Sequence, residues 1–241
     1  MNHFRSAVGI ILSAMLPLSA QSNDEVVPSG DHRLAWFIQT GIPEGLDNPV
    51  MVMTGKKIEL VTLSNRLASG PVKIPPDGVI RLVREIQDPM DPKKSIYLNL
   101  AEAKIPETMK QALVILVPSV ADPATSRIFH VRTQGLSNFN GGDCLYLNLT
   151  NLDMIIEIGD KKIPLKPGNL RILDGSKADQ AVDVPFRYSY YHPTLDKWRV
   201  LSASVTIMSP TRREIVVFGI DQNTSRVKCS NITFPVRHLG E

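Results

Sequence analysis

Residues 145–173 read LYLNLTNLDMIIEIGDKKIPLKPGNLRIL, and this stretch decides the fold class. Short apolar runs are broken by Gly159-Asp160 and by Pro167-Gly168-Asn169, combinations that end strands and start turns. The pattern predicts three short strands joined by two turns. A weaker copy lies upstream in residues 50–82: VMVMTGKKIEL, a linker of Ser, Asn, Gly and Pro, then PVKIPPDGVIRL. In both copies an apolar run meets glycine, two lysines and an Ile-x-Leu pair, followed by a Pro/Gly turn and a second apolar run.

The correspondence extends outward from these stretches. Residues 94–98 (KSIYL) match 197–201 (KWRVL), residues 111–116 (QALVIL) match 213–218 (REIVVF), and Thr125-Ser126-Arg127 matches Thr224-Ser225-Arg226. Two copies are too few for a solenoid. The expectation is an all-β chain of two tandem antiparallel β-sandwich modules of immunoglobulin-like type, about seven strands each, with Greek-key-like connections. The first module is placed at 34–118, a linker at 119–126, and the second module at 127–236. Within the first, residues 112–117 (ALVILV) are apolar throughout, which fits a strand buried on both faces.

Composition is consistent with that class. A chain of 241 residues with 43% hydrophobic content can bury a large core, and 18 prolines oppose long helices. The formal charge of +3 is far from the concentrated basic excess of a nucleic-acid binder, so no nucleic-acid partner is expected. Arg5, the apolar residues 7–16 and Leu18-Ser19-Ala20 have the layout of a secretory signal peptide over 1–20. That implies export to the periplasm or beyond. Residues 21–33 are polar and aperiodic, a flexible leader. The apolar run is too short to span a bilayer, and no later segment is longer.

Cys144 and Cys229 are the only cysteines, and in an oxidising compartment they are candidates for one disulfide. That bridge would close a loop of about 85 residues, worth up to roughly 4–5 kcal/mol on chain-entropy grounds. The alternative is two separate buried thiols. His32, His130, His192 and His238 lack a second ligand at metal-binding spacing. Asp88, Asp91 and Asp122 read as solvated turn carboxylates. No G-x-S-x-G elbow occurs, and Asn140-Gly141-Gly142-Asp143 precedes a strand, so it reads as a hairpin turn rather than a phosphate cradle. No catalytic, metal or cofactor residue is therefore assigned.

Two features suggest a binding surface. In residues 186–191 (FRYSYY), alternation puts Phe186, Tyr188 and Tyr190 on one face and Arg187, Ser189 and Tyr191 on the other. Tyr188, Tyr190 and Tyr191 are candidate platform residues, with an ordinary core face as the competing reading. Lys56-Lys57, Lys93-Lys94, Lys161-Lys162 and Arg212-Arg213 fall at predicted turns. Lys161 and Lys162 join the candidate surface, although such pairs also keep hairpin tips solvated. Asn148, Asn223 and Asn231 begin N-x-S/T triplets.

Asn148-Leu149-Thr150, Ile158-Gly159 and Leu165-Lys166-Pro167-Gly168 together resemble the recurring grammar of an uncharacterised family of exported bacterial β proteins. That resemblance implies a β-sandwich fold and no particular activity. Residues 75–82, 95–100 and 105–106 are locally similar to the first domain of periplasmic pilus chaperones. Chaperones of that kind complete a subunit's sheet by strand addition. The similarity implies a free edge near residues 112–117, while Pro118 and Asp122-Pro123 interrupt the long strand it requires. The expected function is a non-catalytic binding or structural module of the cell envelope, with an envelope protein or polysaccharide as partner. A strand-capturing chaperone is the alternative, and a hydrolase without a recognisable motif the third reading.

Overall fold

The computed structural model describes residues 32–119, 126–175, 180–221 and 224–236. The expected signal peptide and most of the polar leader lie outside the described residues. Among those described, the chain is all-β apart from one 3-10 turn at Pro193–Leu195. The leader's last residue is tethered: the Arg33 side chain donates to the carbonyls of Met109 and Ile105, each at 3.1 Å.

The first eight strands are β1 (Leu34–Gln39), β2 (Val50–Thr54), β3 (Lys57–Val61), β4 (Val72–Lys73), β5 (Val79–Gln87), β6 (Ser95–Lys104), β7 (Gln111–Pro118) and β8 (Phe129–Gly135). The next eight are β9 (Cys144–Asn148), β10 (Met154–Ile158), β11 (Lys161–Leu165), β12 (Leu170–Leu173), β13 (Val182–His192), β14 (Lys197–Met208), β15 (Arg212–Ile220) and β16 (Val227–Pro235). They form four sheets of four strands, in the orders β4-β1-β7-β8, β3-β2-β5-β6, β12-β9-β15-β16 and β11-β10-β13-β14. The second pair of orders is the first pair shifted by eight strands. Residues 145–173 therefore hold four strands rather than three, and they are shared between two sheets. β9 and β12 go to one, β10 and β11 to the other.

Local chemistry repeats along with topology. β2–β3 and β10–β11 are hairpins with two-residue loops, Gly55-Lys56 and Gly159-Asp160. The first loop residue has φ of 64° in one and 56° in the other, a left-handed backbone that glycine reaches without steric cost. Ser126 and Ser225, paired by sequence position, also share a left-handed φ of 58° and 53°.

Sheet membership moves the expected boundary. The strand after residues 119–126 pairs antiparallel with β7 from Ala112↔Gly135 to Pro118↔Phe129. β7 and β8 are thus neighbours in one sheet, and Phe129–Gly135 belongs with the first eight strands, while most of the expected linker, residues 120–125, lies outside the described residues. The passage between halves is instead residues 136–143. Asn140 to Asp143 is accordingly a turn between two sheets and not a hairpin. The sheets are also not purely antiparallel, because β1 pairs parallel with β7 and β9 with β15.

Three cores separate the four sheets. Ala35, Phe37, Val52, Leu82, Ala112, Val114 and Leu116 lie between the first two sheets. Tyr146, Ile156, Tyr188, Val216 and Phe218 lie between the last two. Alternate residues of the same inner strands point the other way. Ile38, Leu113 and Ile115 meet Leu145, Leu147, Ile215, Val217, Ile232 and Phe234 in a third buried cluster. The layers thus run outer, inner, inner, outer, and the halves are not beads on a linker. Unbroken apolarity of β1, β7, β9 and β15 is the cause, since a strand buried on both faces needs it. β7 shows this directly, with Ala112 to Leu116 all buried. At the margin, Trp36 packs on Phe234 with ring centroids 5.6 Å apart, and Leu67 bridges Thr233.

Candidate binding surface

The second outer sheet, β11-β10-β13-β14, carries the residues singled out in sequence. Its register sorts their side chains. Ile156 opposes Tyr188 and Ile158 opposes Phe186, so these face the core. Tyr188 is 3% exposed, in edge-on contact with Phe218 at 5.2 Å and Tyr146 at 6.0 Å. Burial is the main reason its phenol is pushed well above the usual tyrosine range. Tyr188 is core and not a platform residue. Tyr190 is half-buried against the same cluster.

Tyr191 turns outward with Trp198, its partner across the β13–β14 ladder, and the two rings meet edge-on at 5.6 Å. Its hydroxyl donates to the Asp196 carboxylate, which raises the Tyr191 pKa. Lys161 and Lys162 lie on β11, the opposite edge, and point to opposite faces of the strand. Lys161 Nζ donates to the Asp174 carbonyl at 3.1 Å, and Lys162 sits 3.7 Å from Glu157. Glu157 in turn lies 3.9 Å from Arg187, a solvent-exposed charge ladder worth little energy. The five candidate residues do not form one surface.

Sequence reasoning missed the surface that the register does assemble. A bulge between Tyr188 and Ser189 leaves Leu201 without a partner on β13 and reverses the alternation of β14. Trp198, Val200, Ala203, Val205 and Ile207 consequently all face outward, although their numbers switch from even to odd. Trp198 is 46% exposed, Val200 58%, Val205 57% and Ile207 48%. With Val182 and Leu195, six of the twelve exposed large hydrophobics among the described residues belong to this one hairpin. A period-2 reading of KWRVLSASVTIM fails because the extra residue splits the stripe.

The remaining polar candidates are structural. Cys144 and Cys229 are both free. Cys144 opposes Glu214, and Cys229 opposes Phe218 on the far side of the same strand. At about 4.8 Å per strand and about 3.3 Å per residue, their Cα atoms are roughly 16 Å apart, beyond the roughly 7 Å a disulfide spans. The expected bridge is therefore corrected to two separate thiols. Burial pushes Cys144 up to about 12 and raises Cys229 as well. Unreduced protein should show two free thiols toward a disulfide reagent in denaturant, while Cys144 stays unreactive in the native state. Mass spectrometry finding a linked 144–229 peptide would contradict the fold's register.

Arg213 is not at a hairpin tip. Its guanidinium is stacked 4.9 Å from the Phe234 ring and 5.6 Å from Phe139, and desolvation lowers its pKa. Asp143 is buried, accepting the Asn140 N–H at 2.6 Å and the Gly175 N–H at 3.0 Å, which pins the turn between the halves. Asp88 and Asp91 accept from Met90 N–H and Lys93 N–H, as turn carboxylates do. Asn148 is fully buried, whereas Asn231 is exposed. Asn223, Asp122 and His238 lie outside the described residues.

A cleft of about 650 Å³ opens at one end of the inter-sheet core, lined by Thr40, Ile42, Val117, Asn151, Asp221 and Lys228 among others. Lys228 Nζ lies 3.2 Å from Asp221, so its two charges face each other. Asp221 is the cleft's single carboxylate among the described residues. Two carboxylates suited to bond cleavage are not brought together there. No protein-family model matches the chain, and no curated protein matches it.

Proposed function

We propose that this chain is an exported, non-catalytic binding module of the cell envelope, built as a tandem copy of one β unit, that engages a protein partner through the β13–β14 hairpin. One observation carries the reading. Four large hydrophobic side chains exposed among the described residues, Trp198, Val200, Val205 and Ile207, share the outward face of β14, and exposed apolar surface gathered in this way marks interaction sites. Trp198 and Tyr191 at its end supply the large, rigid contact area that anchors protein interfaces. Export rests on the layout of residues 1–20.

The strand-capture alternative required an open edge at residues 112–117. β7 is hydrogen-bonded on both sides, to β1 and to β8, so that edge is occupied. The open edge of comparable length is β14. A photoreactive residue replacing Val205 should give a discrete adduct of defined mass in the intact envelope. The same residue replacing Leu60, 67% exposed on the other outer sheet, should give none. Equal labelling from both positions would overturn the assignment, as would stoichiometric metal or hydrolase activity in the purified protein.

A further inference from the structure

A sheet edge offers unpaired N–H and C=O groups, and folded proteins blunt it with charge, proline, shortness or cover. Seven of the eight edge strands are guarded in this way. β4 has two residues. β3 carries Lys57 and Glu59, β8 His130 and Arg132, β11 two lysines and Pro164, β12 Arg171, and β16 Lys228 and Pro235. β6 holds Glu102 and Lys104, and is also covered: the Leu100 carbonyl accepts the Ile128 N–H at 3.0 Å, and Arg127 lies 3.7 Å from Glu102. β14 is the least guarded: the Arg212 guanidinium covers only its far end, donating to the Ile207 carbonyl at 3.0 Å. It is the longest strand, 12 residues, and its charges stop at Arg199, leaving VLSASVTIM uncharged over 200–208. It is hydrogen-bonded to β13 on one side and ends the strand order on the other.

The outward stripe of β14 is nearly its own reverse. Laid antiparallel on a second β14 about a twofold axis between Ser202 and Ala203, Trp198 faces the copy's Ile207, and Val200 faces the copy's Val205. Opposed residues of an antiparallel ladder share a face, so these are direct cross-strand apolar pairs. Only the central pair, Ser202 with Ala203, mixes faces, and it sits beside the bulge. The direction is set by charge. An antiparallel ladder separates Lys197 from its copy by nearly the whole strand, about 35 Å at about 3.3 Å per residue. A parallel one would place Lys197 and Arg199 beside their copies, which is destabilising.

We propose that the partner of this surface is a second copy of the chain, joined edge to edge through antiparallel β14 strands into one continuous eight-stranded outer sheet. This rests on the hairpin being the binding surface, and it names the occupant. A homodimer formed this way is isologous, so the same residues serve both sides and the contact closes on itself.

Sedimentation equilibrium of the full chain tests it. The expected species is a dimer. Val200→Lys and Val205→Lys should each raise the dimer dissociation constant at least tenfold, with circular dichroism and melting unchanged. The double variant Val200→Lys/Val205→Glu should regain association, because each introduced ammonium faces an introduced carboxylate of the other copy. A dimer indifferent to the single substitutions, or a double variant as weak as either single, would overturn the pairing. A monomer that still labels another envelope protein through position 205 would overturn self-pairing and leave the hairpin reading standing. A monomer without preferential labelling would overturn both.

Discussion

Replacing Ile115 by aspartate should abolish the cooperative folding transition. Ile115 has no exposed surface and sits in the cluster shared by the two inner sheets, among Leu145, Leu147 and Ile215. A carboxylate there has no partner and no water, a penalty of several kcal/mol even after it neutralises by taking up a proton. Total stabilities of about 5–15 kcal/mol leave little after such a loss. The milder Ile115→Ala should cost about 2–5 kcal/mol, the range for a fully buried truncation. Leu60→Asp, at an exposed position of the first outer sheet, should stay within about 0.5 kcal/mol. The contrast is diagnostic. If the halves were independent sandwiches, the Ile115 face of β7 would point to solvent, and Ile115→Asp would melt like the parent protein in a thermal scan.

That distinction marks where sequence stops being informative. The unbroken apolarity of residues 112–117 does foretell a strand buried on both faces, and the structure agrees. What it cannot name is the second neighbour. Leu113 and Ile115 fit a packed inner sheet of the other half as well as they would fit any cover, because apolar burial is non-directional. Hairpin chemistry was legible for the same reason that it is local. Gly55 and Gly159 specify a two-residue turn through their own backbone freedom, whatever surrounds them. The boundary was not legible: Phe129–Gly135 has the pattern of any strand, and its choice of β7 over β9 depends on pairing across space.

The candidate surface was legible only in part. Alternation over residues 186–190 put Phe186, Tyr188 and Tyr190 on one face but did not say which way that face points; the core contacts of β13 turn it inward and take Tyr188 out of the candidate surface. The outward stripe of β14 was hidden by one unpaired residue, Leu201. A bulge shifts every later side chain to the opposite face, and nothing in KWRVLSASVTIM announces it. Cys144 and Cys229 illustrate the same limit. Strand spacing alone set no distance between them, and only the register along β15 separates them by four positions.

Two equivalent positions should respond to mutation with opposite signs. Gln39 opposes Leu116 in the first inner sheet, and Asn148 opposes Phe218 in the second, at matching places in the two halves. Both side chains are buried, at 1% and 0% exposure. Asn148 spends its amide fully. Its Nδ2 donates to the Leu152 and Leu165 carbonyls at 2.8 and 3.1 Å, and its Oδ1 accepts from the Thr150 N–H and hydroxyl at 2.9 and 2.7 Å. It thereby ties β9 to the end of β11 in the neighbouring sheet. Asn148→Ala strands several buried polar groups, each costing about 1–3 kcal/mol, for a total expected near 4 kcal/mol or more. The Gln39 amide finds no hydrogen-bond partner among the described residues. Gln39→Met keeps the volume and removes the unpaired polar atoms, so it should stabilise the chain by about 1–2 kcal/mol. Urea unfolding of the two variants, read as midpoint shifts at constant slope, decides the matter. Equal losses at both positions would mean that the Gln39 amide has a partner in solution and that the halves are matched in chemistry as well as in strand order.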